Sequence, residues 1–146
     1  MAILRDHPYG NARFRVEIDG MADAEFAEVC LPVLSESVVE YRDGHDPDAA
    51  SRRLPGRPQV GPLVLRRGFR GSLTLYRWWR EVADGQPGAR RDAIVHLLDE
   101  GAAAVVATWR LRAAWPARYA LSPLEARGCG VVIEEVELVG ERFEME

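Results

Sequence analysis

The chain of 146 residues contains no lysine; its 19 basic residues are all arginine. That is a bias of composition and carries no mechanism. Cysteine is scarce as well. Cys30 and Cys129 cannot build the disulfide framework that staples small secreted domains, and they read as the buried or half-buried thiols of a cytoplasmic protein. No apolar run approaches the ~18–20 residues that a membrane-spanning helix requires. The first twenty residues mix charged with apolar positions and have no continuous apolar centre, so no signal peptide is expected. Enzyme signatures are missing: there is no GxSxG, no phosphate-binding P-loop, no HExxH and no CxxC. A basic balance is missing too. The net charge of −4 argues against a free-standing nucleic-acid binder.

What is present is one domain's length, 1–146, with 47% hydrophobic and 29% charged residues, as in an ordinary globular fold. Arg13-Phe14-Arg15-Val16-Glu17-Ile18 alternates polar and apolar, the period of a half-buried strand, and Asp19-Gly20 signals a hairpin or tight turn. Phe26–Val29 reads as a second strand, cut short by Pro32. Ser37–Tyr41 is a β-branched strand. From Arg42 to Pro62, four prolines and three glycines break up any apolar periodicity. This predicts a loop of roughly twenty residues, long enough that a contact with a partner is its natural role.

A strand follows at Leu63–Leu65 with Arg66 and Arg67. Next comes the one convincing helix, with Ser72 as its N-cap. Leu75, Trp79, Val82 and Ala83 form its apolar stripe, and Gly85 and Pro87 stop it. Trp79 is expected in the core. Trp78 points about 100° away and needs a second layer or a neighbouring subunit. Ala93–Leu98, a turn at Asp99-Glu100-Gly101, and Val105–Leu111 form a hairpin that Trp115-Pro116 closes. Val131–Val139 is a last strand whose alternation slips at Glu134-Glu135, as a bulge would. Six to eight strands and one helix, without helix–strand alternation, exclude a parallel α/β fold. They predict a mainly β fold, an antiparallel barrel or sandwich with one flanking helix.

Groups that could carry chemistry have a plainer reading throughout. Asp43-Gly44-His45-Asp46-Pro47-Asp48 holds three carboxylates and an imidazole, but the spacing is not that of a calcium loop and the residues suit a solvated turn. His7 and His96 are isolated. Glu134, Glu135 and Glu137 lie on one strand with no companion base. Arg52, Arg53, Arg57, Arg66, Arg67 and Arg70 could bind phosphate, yet only Phe69 is at hand for stacking. No catalytic, metal or cofactor site is expected. The charges are segregated: six arginines and no acid from Arg52 to Arg70, seven glutamates against two arginines from Ser122 to Glu146. Head-to-tail copies could use that opposition. The candidate subunit contacts are Arg42, Arg52, Arg53, Leu54, Pro55 and Arg57 of the loop, with Arg67, Trp78, Glu135 and Glu137.

The order of these fragments resembles one family. Phe14-x-Val16-x-Ile18 with Gly20 is followed by Phe26-x-x-Val29, Val39-Glu40-Tyr41-Arg42-x-Gly44 and Leu54-Pro55-Gly56. Then come Leu63-x-Leu65-x-Arg67-Gly68, Leu75-Tyr76-x-Trp78-Trp79, and Trp109-x-Leu111-x-x-Ala114-Trp115-Pro116-x-x-Tyr119. Leu124-x-Ala126 and Val132-Ile133-Glu134-x-Val136-x-Leu138 close the series. Together, over about 125 residues, the chain resembles the tail-tube proteins of contractile phage tails and extracellular contractile injection systems.

The resemblance implies a non-enzymatic structural subunit. Six copies would form a ring, and rings would stack into a hollow conduit inside a sheath. Its partners would be itself, sheath and baseplate proteins, and cargo in the lumen, with nucleic acid only as cargo and no insertion into membrane. Assembly would be cytoplasmic, and the product would be a virion or extracellular particle. Val29-Cys30-Leu31-Pro32 stands where members often carry a small residue and Gly-Leu, which suits a minor tube-initiator or baseplate paralogue. A secretion-system tube protein, a small β-barrel nucleic-acid module and a small β-barrel enzyme complete the alternatives.

Overall fold

The computed structural model describes residues 1–42, 44–45 and 51–146. The order is β1 (Phe14–Ile18), β2 (Glu28–Cys30), β3 (Leu34–Tyr41), β4 (Arg52–Val60), β5 (Leu63–Gly68), α1 (Thr74–Ala83), β6 (Arg91–Leu98), β7 (Val105–Leu121), β8 (Ile133–Val139) and β9 (Arg142–Met145). Every pairing is antiparallel. The main sheet runs β1-β6-β7-β8-β5-β2, with β9 added beside β7; β3 and β4 form a separate two-stranded sheet. The expected β-rich architecture with one helix is therefore present.

β7 is the corner of the fold. Its first half pairs with β6 and its second half with β8, the change falling between Ala114 and Trp115. Ala113 sits at φ 52° at that change, and its amide donates to Asp92 Oδ1 at 2.9 Å. Trp115-Pro116 thus lies inside a 17-residue strand instead of ending one. Proline is accommodated because the register shifts between Pro116 and Arg118. The sheet wraps one core, into which β1 sends Val16 and Ile18, β5 sends Leu63 and Leu65, β6 sends Ala93 and Val95, and β8 sends Val136 and Leu138. The turn after Ile18 uses Gly20 at φ 72°, but it joins no hairpin, since β1 and β2 are the two ends of the sheet.

The helix is turned from its expected setting. Leu75 and Trp78 are buried and Val82 packs beside them, the i, i+3, i+7 stripe of a one-sided helix. Trp78 is 1% exposed and its indole N–H donates to Ala89 O at 2.6 Å. Trp79 is only half-buried. The two tryptophans exchange roles because the position i+3 from Leu75, not i+4, faces the core; the helix starts at Thr74, with Leu73 as a cap residue that makes no side-chain capping bond. Ser72 lies one residue ahead of that cap: its hydroxyl donates to Asp23 Oδ2 at 2.7 Å and its oxygen accepts from the Thr74 amide at 3.4 Å. At the other end Gly85, at φ 70°, donates to Val82 O while Gln86 donates to Glu81 O, the paired bonds of a Schellman stop.

The largest departure is β4. Residues expected to form half of a long loop make a nine-residue strand against β3. Its prolines are tolerated because a two-stranded ribbon has a free outer edge where a missing N–H costs nothing. Apolar periodicity gave no hint because neither face of this ribbon packs on a core.

The packing around Trp78 predicts a sharp asymmetry between neighbours. Trp78→Ala should cost about 3–5 kcal/mol, as for a fully buried aromatic. Trp79→Ala should cost well under half of that. Urea unfolding of the two variants measures the difference, and equal losses would contradict the observed rotation of the helix.

Candidate assembly interface

The two-stranded ribbon of β3 and β4 is the feature that sets this molecule apart from a self-sufficient domain. All eight residues of β3 are exposed, and so is every residue of β4 except Gly56, which is intermediate. Leu34, Val38, Val39, Tyr41, Leu54 and Val60 are each at least 48% exposed, and they lie on both faces of the ribbon. An isolated two-stranded hairpin with no covered face is marginal in water. Six large apolar groups on such an arm are a contact surface awaiting cover.

The arm has a built irregularity. Register shifts between Glu36 and Val38, and the Arg57 amide donates to Ser37 Oγ at 2.8 Å. Gly56 lies so close to this point that a Cβ there would meet Ser37 Oγ at 2.2 Å and Ser37 O at 2.6 Å. Only glycine fits without moving backbone. Leu54 and Pro55 oppose Val39 and Val38. Arg53 approaches Glu40 at 3.9 Å, an exposed pair of little weight. Among the described residues, Arg42, Arg52 and Arg57 make no ion pair. The arm carries five of the sequence-based contact candidates, Arg52, Arg53, Leu54, Pro55 and Arg57, and Arg42 follows β3 directly. Of the aspartate-rich cluster, Asp43, Asp46, Pro47 and Asp48 lie outside the described residues.

Two other candidates, Trp78 and Arg67, are buried in the chain itself. Trp78 is in the core of its own chain and unavailable to a neighbour. Arg67 is 9% exposed and Glu134, its register partner across β5 and β8, is 1% exposed. The strand alternation does not slip at Glu134-Glu135: the register from Leu63↔Leu138 to Gly68↔Ile133 is unbroken, and Glu134 points inward with Val136 and Leu138. Glu134 is tolerated there by Arg67, whose Nη2 lies 3.5 Å from Oε1.

The same guanidinium holds the segment before β2. Nη1 donates to Asp23 O at 2.5 Å, Nη2 is 3.6 Å from Asp23 Oδ2, and the group lies 5.1 Å above the Phe26 ring. Neither Glu134 oxygen nor Arg67 Nη2 completes a hydrogen bond. Burial consequently pushes the Glu134 carboxyl above its ordinary range, with Arg67 opposing the shift. Burial likewise raises the nearby Tyr119 phenol. Asp23 moves the opposite way: the Ser72 hydroxyl, then Arg67, hold its carboxylate below the usual range.

On the outer face of the same strands the charges also satisfy one another. Arg66 reaches Glu135 at 2.7 Å and Glu28 at 3.1 Å; Arg118 reaches Glu135 at 2.6 Å and Glu137 at 3.8 Å. Glu135 is held below the carboxylate range by the Arg66 hydrogen bond, and Arg118 adds to the effect. The basic and acidic stretches read from the sequence are thus neighbours in one sheet. Arg66, Arg67 and Arg118 pair with Glu134, Glu135 and Glu137 within the chain, and of the basic stretch Arg52, Arg57 and Arg70 make no ion pair among the described residues. His96 is half-buried between strands, Nδ1 at 3.1 Å from Thr108 Oγ1 and Nε2 at 3.4 Å from Glu17 Oε2, as a satisfied structural histidine would be.

Comparison with known proteins fits this architecture. The family described as T4-like virus tail tube protein gp19 matches residues 10–144. No curated protein matches the chain. Among solved structures, a chain of the six-fold symmetrised anti-feeding prophage baseplate superposes with TM-score 0.81 at 22% identity, covering 97% of each chain. A chain from the sheath–tube complex of an extracellular contractile injection system gives TM-score 0.77 at 24% identity, over 97% of this chain and 93% of that one. Hcp1 from Flavobacterium johnsoniae gives 0.55 at 13% identity, over 90% and 93%. At these identities the likeness is one of fold.

The buried pair makes a pH-resolved prediction. Arg67→Met should destabilise the chain at neutral pH by about 3–5 kcal/mol, because it leaves Glu134 buried and uncompensated. A carboxyl whose folded pKa is raised costs stability above its unfolded pKa and nothing below it. The loss should therefore shrink as pH falls into the ordinary carboxylate range. Arg67→Met combined with Glu134→Leu should recover most of it at neutral pH. Urea titrations of the three proteins at several pH values measure this, and a pH-independent loss would refute the account.

Proposed function

This chain belongs to the T4-like virus tail tube protein family, and from that membership we propose that it is a subunit of the inner tube of a phage-like contractile tail or injection system, with six copies in a ring and rings stacked into a hollow conduit. The observation that carries the reading is the arm, a ribbon with apolar groups exposed on both faces that no other described element covers. A ribbon of this kind gains its stability only on another protein. In a stacked assembly it reaches a neighbouring copy, and the tube is held by such contacts. The work of the molecule is mechanical, and no catalytic step is assigned to it. Sheath and baseplate proteins are its proposed partners, since similar folds occur in a sheath–tube complex and in a baseplate. Assembly takes place in the cytoplasm and the finished particle carries cargo in the lumen.

A second reading keeps the fold and changes the position. The likeness to a chain of the anti-feeding prophage baseplate, with its TM-score of 0.81, supports a minor subunit that starts the tube. The two readings differ in autonomy: an abundant tube protein stacks without limit, whereas an initiator forms one ring and waits for the next component.

Light scattering of the purified full chain across a concentration series, with negative-stain microscopy, separates them. Stacks of rings are expected for the tube subunit and single rings for the initiator. A persistent monomer at the highest concentration would sink both. In the same assay Gly56→Val should leave the barrel folded by circular dichroism but abolish stacking, because the new side chain must displace Ser37 from the arm. Normal stacking by that variant would remove the arm from the mechanism.

A further inference from the structure

The two edges of the arm are not equivalent. On β4, Pro55 and Pro58 remove two backbone donors, the register breaks near Gly56, and Arg52, Arg53 and Arg57 crowd the strand with charge. These are the devices that keep an edge strand from recruiting another. β3 has none of them. It runs eight residues without proline or glycine, pairs only with β4 among the described residues, and is exposed throughout. Its outer edge is open for strand addition.

An open edge of complementary character exists on the barrel. Among the described residues β1 ends the main sheet and pairs only with β6, apart from an isolated bridge between Ile18 and Met21 in its own turn. Leu98 donates to Arg13 O, so the ladder extends one residue beyond the strand. β2, at the opposite end of the sheet, is three residues long and β9 is four, against five for β1. Beside β1 lies an apolar cleft of about 470 Å³ whose walls include Phe14, Val29, Leu31, Val95, Leu97 and Trp109, and whose rim runs through Gly10 and Asn11.

Charge and side-chain pattern fix one register. β3 carries Glu36 and Glu40 on one face, with no base, and Val39 and Tyr41 on the other. β1 and its extension carry Arg13 and Arg15 on the solvent face; Arg13 makes no ion pair among the described residues, and Arg15 reaches only Glu17, at 3.5 Å. Antiparallel pairing with Glu36 opposite Arg15 puts Arg13 opposite Val38, flanked diagonally by Glu36 and Glu40. Cross-strand and diagonal neighbours at these spacings interact. The other face then carries Val39 and Tyr41 to the level of Gly10–Ala12, over the apolar cleft.

We propose that β3 of one copy adds as a strand to the open edge of β1 in a second copy, with Glu36 and Glu40 against Arg13 and Arg15 and with Val39 and Tyr41 seated in the cleft beside Phe14 and Trp109. The proposal rests on the tube-subunit reading and identifies the surface that receives the arm. It is a head-to-tail contact, since the donor strand and the acceptor edge lie on different parts of the chain, and it therefore propagates instead of closing on itself as a dimer.

A reciprocal charge swap tests it. One variant carries Arg13→Glu with Arg15→Glu, the other Glu36→Arg with Glu40→Arg; all four positions are exposed, and circular dichroism checks each fold. Each variant alone faces like charge with like, and the concentration for half-assembly, read by light scattering, should rise roughly tenfold or more. An equimolar mixture restores opposite charge at both contacts, because each variant's arm meets the other's acceptor, and assembly should return toward the level of the unmodified chain. The milder pair Arg15→Glu and Glu36→Arg repeats the test should a double variant fold poorly. Assembly of either variant alone at the unmodified level, or a mixture of folded variants that stays dissociated, would overturn this acceptor surface while leaving the tube reading intact. If the unmodified chain does not assemble at all, the tube reading fails, and this inference fails with it.

Discussion

Arg67 and Glu134 face each other inside the barrel, and much of the structure is arranged around the charge they bury. Glu134 cannot leave the interior without shifting β8 by one residue, which would turn Val136 and Leu138 out to solvent. Its carboxylate therefore requires a fixed cation. Arg67 supplies it from β5 and, because a guanidinium has several donors, binds a second element at the same time. The segment before β2 is held through the carbonyl and carboxylate of Asp23, and Asp23 in turn accepts the hydroxyl of Ser72 just ahead of α1. One ion pair thus ties β5, β8, the β1–β2 connection and the start of the helix to one another. A hydrophobic pair of the same volume would fill the space but would not fix these elements in register.

The cluster also decides what the rest of the surface has to do. With Arg66, Glu28, Glu135, Arg118 and Glu137 satisfied along the outer face of the same strands, the barrel presents a largely self-neutralised wall there. Among the described residues the arm carries large apolar side chains exposed on both faces, together with Arg52 and Arg57, which make no ion pair. A rigid barrel with closed electrostatics and one adhesive projection is a building block for an ordered polymer.

Much of this was legible in the residues. Alternation located β1, β6 and the first half of β7 because each has one wet and one buried face. Gly85 and Pro87 marked the end of the helix. The failures share a cause. Proline content argued for a loop where a strand exists, since the penalty for proline in a sheet assumes neighbours on both edges and β4 has only one. Two consecutive glutamates suggested a slip, since an inward carboxylate makes sense only when Arg67, 67 residues earlier, is known to stand opposite. Leu75 and Val82 belong to either stripe, so spacing alone does not choose between i+3 and i+4; the burial of Trp78 against Ala89 does.

The sequence by itself determined the class of the protein: a mainly β domain with one amphipathic helix, no motif for chemistry, segregated charges, and an order of motifs shared with tail-tube proteins. Those properties depend on neighbours within a few residues, where periodicity and turn chemistry act. Only the tertiary structure decided which charges meet within the chain and which are left for a partner, because that depends on strand order, and β5 and β8 are adjacent in space while about seventy residues separate them in sequence. It also decided that the glycine- and proline-rich stretch is an arm with one blocked edge and one open edge. Edge character is a property of pairing, and pairing is settled only when the whole sheet has formed.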